Sequence, residues 1–256
     1  MPNVLIRIEY DGTNFSGWQK QPEDRTVQGE IEHVLKFIAL EAVPIHGTSR
    51  TDAGVHALGQ CASFEWNCNM PVEKLPEVMN RRFGTAGAGR SGAPGDIKIL
   101  SAEIMPDDFH ARYNCKGKTY RYIIDKTGDI FRRNYAYQFP EVESLDLDRM
   151  REACRYIIGT HDFKCFETAG GTPRETTVRT VSDLTISETD REIVIEITGD
   201  GFLYNMVRII VGTLCEVGLG KKEASDVAAA IDAKDRALAG FTAPPQGLYL
   251  KEIYFE

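Results

Sequence analysis

Val4, Ile6, Ile8 and Tyr10 set a two-residue period at the head of the chain, the signature of a half-buried strand, and Asp11-Gly12 ends it. Thr26 is a candidate cap for a helix in which Val27, Ile31, Val34, Leu35 and Ile38 recur at helical spacing. Strand patterns follow near Gln60 to Trp66 and Ile97 to Met105, with a short helix around Val72 to Arg82 between them. In the second half, strand patterns cover Thr119 to Asp125 and Tyr135 to Phe139, and Leu147, Met150, Cys154, Ile157 and Ile158 mark an amphipathic helix. Thr180 to Ile186 and Glu192 to Thr198 flank Glu188-Thr189-Asp190-Arg191 as a hairpin. Helices over Tyr204 to Val217 and Lys222 to Ala233 and a strand over Gly247 to Glu256 complete the chain.

Strand pairs punctuated by single helices predict an α+β fold in which helices cover one face of a mainly antiparallel sheet. The two halves repeat one pattern, so two α+β halves are expected, residues 1–104 and 105–256. The break is expected between Ile104 and Ala111, where Met105-Pro106-Asp107-Asp108 interrupts the strand signal. Gly84 to Gly95, GTAGAGRSGAPG, is a low-complexity stretch that reads as a mobile loop, with Arg90 as part of a passive insertion.

Composition changes this picture little. With 256 residues, 42% hydrophobic and 27% charged, the chain can bury a core without staples or metals. No segment is long and apolar enough to span a bilayer, and MPNVLIRIEYDG lacks the features of a signal peptide, so no membrane partner and a cytoplasmic location are expected. The six cysteines are scattered with no CxxC pair, as reduced core thiols would be, and no metal site is expected.

The net charge of −8 disfavours phosphate binding unless the charge is unevenly distributed. It is uneven. Arg112 to Arg133 holds seven basic residues, Lys118 among them, against Asp125 and Asp129. That stretch is either a basic face on an acidic body or a solvated strand and loop.

Candidate chemistry concentrates where the helix formers run out. Gly47 to Gln60 reads GTSRTDAGVHALGQ, a loop composition that can aim a side chain and backbone N–H groups at a substrate. Taken alone, Asp52 is either a reactive carboxylate or a turn cap. Arg208 is a lone cation in a strongly apolar helix, which requires a partner because an unpaired buried charge is costly. Tyr120 lies in the alternating run TYRYII and could be simple strand core. His56, between Val55 and Ala57, suits a structural hydrogen bond better than general-base work.

The string Arg50-Thr51-Asp52-Ala53-Gly54-Val55-His56, continuing through Gly59-Gln60, closely resembles the catalytic-loop signature of the TruA family of tRNA pseudouridine synthases. Further matches run in the family's order. They include Tyr10-Asp11-Gly12 with Phe15 and Gly17-Trp18-Gln19, Thr26-Val27-Gln28, Asp108-Phe109-His110-Ala111-Arg112 and Lys118-Thr119-Tyr120-Arg121-Tyr122. Asp162-Phe163, Phe166, Arg174, Arg179-Thr180, Phe202, Asn205-Met206-Val207-Arg208, Val211-Gly212 and Gly247-Leu248-Tyr249-Leu250 extend the resemblance over nearly the whole chain. Gly84 to Gly95 departs from it, since the family usually has a shorter connection there.

The resemblance implies two similar ferredoxin-like halves forming a mainly antiparallel sheet, with helices on one face and a catalytic cleft on the other. It implies isomerisation of uridine to pseudouridine in the tRNA anticodon stem-loop, at positions 38, 39 and 40, by a homodimer that needs no cofactor and does not act on DNA. Asp52 is then the nucleophile, a carboxylate ionised at neutral pH with a reference pKa of about 3.9. Arg50 helps hold the flipped-out nucleotide, Tyr120 packs against the target base, and Arg208 pairs with the Asp. Arg112 and Lys118 are expected to contact phosphates. Two other readings are a binding-only RNA chaperone of the same fold and a carboxylate hydrolase. The Arg50, Asp52, Tyr120 and Arg208 set argues against the first, and the lack of an evident second acid for Asp52 argues against the second.

Overall fold

A computed structural model describes residues 2–85, 95–170 and 175–255. Arg90, Arg174 and most of the Gly84 to Gly95 stretch lie outside the described residues. The chain divides into two compact units, Met1–Lys116 with Tyr249–Glu256, and Gly117–Leu248.

The first unit is built on β1 (Asn3–Tyr10), the strand expected from the opening alternation. β1 pairs antiparallel on one side with β3 (His56–Glu65) and on the other with β4 (Ile97–Met105). Because β1 is central, Leu5 is buried as well as Val4, Ile6 and Ile8, so burial at its start is two-sided rather than alternating. β2 (His46–Gly47) adds to β3, and β10 (Leu248–Tyr254) runs parallel to β3 with Tyr249 opposite His56.

Helix α1 (Val27–Ala39) starts where its cap predicts, since the Thr26 side chain accepts from Gly29 N–H. It buries Val27, Ile31, Val34 and Leu35. α2 (Leu75–Thr85) packs on β4, where Asn80 bonds both the N–H and the C=O of Ile99 at 2.7 and 2.9 Å.

This unit extends past the break expected between Ile104 and Ala111. Met105-Pro106 does end β4, but the turn that follows is bonded back to the first unit. Asn3 Nδ2 donates to the carbonyl of Phe109, Ala111 N–H to Ser63 Oγ (3.0 Å), and Thr48 Oγ1 to Ala111 O (3.1 Å). The backbone of Lys116 then donates to Tyr254 O at 2.8 Å. A change of element in sequence is therefore not a change of unit here.

The second unit repeats the design. β5 (Gly117–Asp125), β9 (Glu192–Gly199), β8 (Val178–Glu188) and β7 (Gly159–Asp162) lie side by side, antiparallel, and β6 (Tyr137–Gln138) runs parallel to β5. The expected β8–β9 hairpin closes with Thr189 N–H donating to Glu192 O at 2.9 Å. α3 (Leu147–Ile157) is capped by Asp146 and packs on β8, with α4 (Met206–Gly218) and α5 (Ala224–Ala233) against it.

α4 is buried on nearly every face. The chain from Gly240 to Ala243 is strapped along it. Thr213 Oγ1 accepts from Gly240 N–H at 2.8 Å, and the Arg208 carbonyl accepts from Ala243 N–H at 3.0 Å. At Gly212 a Cβ would sit 1.9 Å from the carbonyl oxygen of Phe241, so only glycine permits this approach. Gly212→Ala should force the two segments apart and destabilise the protein by about 1–3 kcal/mol. The check is the urea midpoint, which should fall; an unchanged midpoint would contradict the strap.

Candidate active site

The loop carrying Asp52 is held from both ends. On its entry side, Thr48 N–H bonds to Cys61 O (2.9 Å), and the buried Gln60 amide donates to Ser49 O at 2.7 Å while its oxygen accepts from Ser49 N–H at 3.3 Å. In its centre Thr51 is buried, with its hydroxyl 2.7 Å from Tyr10 OH and its carbonyl accepting from Trp18 N–H at 3.0 Å. With Thr51 turned inward, Arg50 is exposed and Asp52 half-buried. The exit closes on itself, Val55 N–H donating to Asp52 O at 3.1 Å.

A second loop, Asp11 to Trp18, lies against this one at distances that exclude side chains. A Cβ at Gly12 would stand 2.0 Å from Val55 O, and one at Gly17, where φ is +89°, would stand 2.7 Å from Thr51 O. This explains both glycines of the Tyr10-Asp11-Gly12 and Gly17-Trp18 motifs.

His56 completes the join. Its Nδ1 accepts from Gly12 N–H at 3.0 Å and lies 3.3 Å from Asp11 Oδ1, while the ring stacks on Tyr249 at 4.7 Å. The structural hydrogen bond expected of His56 is thus present, and its partner is the backbone of the neighbouring loop.

Of the other residues singled out in the sequence, Arg112 is exposed on the turn that closes the first unit, while Lys118, Tyr120 and Arg208 belong to the second. Tyr120 is buried on β5 opposite Ile197, and its ring meets Phe202 edge-on at 5.2 Å. Lys118 is the second residue of the same strand, opposite Gly199. Arg208 is half-buried in the first turn of α4. Its Nε donates to Ala243 O (2.6 Å) and its Nη1 to Asn205 Oδ1 (2.7 Å), which fixes the plane of the guanidinium. Asn205 adopts a left-handed conformation (φ 61°) and anchors to Thr168 Oγ1 at 3.1 Å.

Asn205, Gln60, Thr51 and Tyr10 were not singled out individually as supports of these side chains. Asparagine tolerates left-handed backbone, which was the available signal at Asn205. The thiols of Cys61, Cys154, Cys165 and Cys215 are pushed up to about 12 by burial, so none is a thiolate at neutral pH.

The model of the tRNA pseudouridine synthase family matches residues 6–114 and 153–256. A tRNA pseudouridine synthase A of Acetivibrio thermocellus is 44% identical, and one of Thermoanaerobacter pseudethanolicus 47% identical, each aligned over all of both chains. The enzyme of the same name from Caldicellulosiruptor bescii is 45% identical, again over the full length of both. The chain belongs to the TruA family of tRNA pseudouridine synthases, which are isomerases.

The His56 join generates a specific expectation. His56→Ala leaves the buried Gly12 N–H without its acceptor and should cost about 1–3 kcal/mol, whereas His56→Asn can offer Oδ1 near the lost Nδ1 and should recover part of it. Urea unfolding of the pair checks this. Equal midpoints for Ala and Asn would show that ring packing, not the acceptor, is what His56 contributes.

Proposed function

We propose that this chain converts uridine to pseudouridine at positions 38, 39 and 40 of the tRNA anticodon stem-loop, in the cytoplasm and as a homodimer, with Asp52 as the nucleophile. The observation that carries the reading is the unbroken Arg50 to His56 motif on a loop fixed at both ends, with Thr51 inward and Asp52 half-buried. A group meant to act on a substrate needs this preorganisation, because a loosely held carboxylate loses the benefit of proximity.

The reaction breaks the N1 to C1′ bond and forms C5 to C1′, with one proton leaving C5 and one arriving at N1. Atoms and electrons balance within the substrate, so no cofactor is called for. The nucleotide must first be drawn out of its stack, at a cost of a few kcal/mol. In this reading Arg50 holds the extruded state, and Tyr120 supplies the aromatic surface against the base. Arg208, its guanidinium already oriented by Ala243 O and Asn205, keeps the nucleophile ionised. Arg112 and Lys118 take phosphates and set the RNA's position rather than its chemistry.

Asp52→Asn should lower single-turnover pseudouridine formation on an unmodified tRNA transcript by at least about 10³-fold while tRNA affinity stays within a few-fold of wild type. Substantial residual turnover would remove Asp52 from the nucleophile role. Arg112→Ala and Lys118→Ala should each weaken binding and flatten the plot of log affinity against log salt by about 0.7–0.9 per lost phosphate contact. An unchanged slope would move the phosphate path elsewhere.

A further inference from the structure

The turn that closes the first unit carries a pile of three rings that the chemistry above does not use. The imidazoles of His46 and His110 lie 4.8 Å apart and tilted by 31°, and the Tyr113 ring lies 4.4 Å from His110, tilted by 35°. Tyr113 is the outermost ring and is 78% exposed, a large aromatic side chain left in solvent. His46 is exposed too, at the tip of β2.

The pile is rigid. His110 N–H donates to Asn114 Oδ1 (2.8 Å), its Nδ1 accepts from Arg112 N–H (3.1 Å), and its carbonyl accepts from the N–H groups of both Tyr113 and Asn114 (3.0 and 2.9 Å). Behind it, Phe109 packs edge-on against Phe255 at 5.2 Å. Burial first, then His46 and Arg112, hold the His110 imidazole below the usual histidine range, so the middle ring is neutral at neutral pH.

Charge and place narrow the occupant. Between Asp107 and Lys116 two acidic residues, Asp107 and Asp108, match two basic ones, Arg112 and Lys116, so this turn is not a uniformly basic patch. What it offers is π surface. Arg112 and Lys116 make no ion pair among the described residues and remain available to a phosphate beside that surface. The turn is also tied to the Asp52 loop: Ala111 is bonded through its carbonyl to Thr48 and through its N–H to Ser63, and Thr48 lies four residues before Asp52.

We propose that Tyr113, backed by His110 and His46, is a stacking platform for an unpaired nucleobase of the substrate RNA, outside the set of residues that acts on the target uridine. The proposal rests on the RNA-modifying reading above. Aromatic stacking of this kind is tolerant of base identity, and because it neutralises no phosphate it releases no counterion and leaves the salt slope unchanged.

The test is tRNA affinity across a series of salt concentrations, with single-turnover pseudouridine formation, for wild type, Tyr113→Ala and Tyr113→Phe. Tyr113→Ala should bind about 10-fold more weakly at every salt concentration, with an unchanged salt slope, and Tyr113→Phe should bind like wild type. Wild-type affinity in Tyr113→Ala, with wild type active, would overturn the platform and leave the enzymatic reading standing. An inactive wild type would remove both. A flattened slope would make the contact electrostatic and overturn it. A change in sedimentation of free Tyr113→Ala would assign the ring to a contact between copies of the chain, and would overturn it equally.

Discussion

The approach of two backbones, Gly12 to Val55 and Gly17 to Thr51, is the constraint on which the candidate site depends. At these distances neither glycine can carry a side chain, so the two loops share one surface and neither can shift alone. Three of the contacts that fix the Asp52 loop lie along this seam. Trp18 N–H reaches Thr51 O, Tyr10 OH reaches the Thr51 hydroxyl, and His56 receives Gly12 N–H. Thr51 is thereby held inward, between an exposed cation, Arg50, and a half-buried carboxylate, Asp52. The loop has the composition of a flexible segment and the bonding of a fixed one.

The second unit solves the same problem with a helix. Arg208 occupies the first turn of a segment buried almost throughout, where a guanidinium can stay only if its donors are matched. Ala243 O and Asn205 Oδ1 match two of them, and the Gly240 to Ala243 strap is itself seated by Thr213 and by the space left at Gly212. In both units, then, a segment that bears a charged side chain of interest is held by hydrogen bonds beside a glycine that permits close packing.

Much of this was legible in the sequence, for reasons that differ by element. β1, α1 and the β8–β9 hairpin carry strong periods and local stop signals, and Thr26 caps its helix by a bond spanning three residues. Such features are local and can be read in a line. β2 and β7 were not anticipated: His46-Gly47 is two residues long, and GTHD has no apolar alternation, so only pairing with β3 and β8 makes them strands. The extent of the first unit was hidden for the same reason, since Ser63 and Thr48 bind Ala111 across 48 and 63 residues of chain. The importance of the Arg50 to His56 loop was visible from its motif. The reason for Gly12 and Gly17 was not, nor was the ring pile at Tyr113, which brings together residues from β2 and from the turn after β4.

The family carries the reaction class, and the chemistry of the intact chain decides the rest. The most direct measurement is incubation of the purified protein with unmodified tRNA transcripts, followed by nucleotide-resolution mapping of pseudouridine. New pseudouridine should form at positions 38, 39 or 40 wherever uridine occurs there, without added cofactor. Transcripts that bind but gain no pseudouridine, across several tRNAs, would contradict it and favour a protein that holds RNA without changing it.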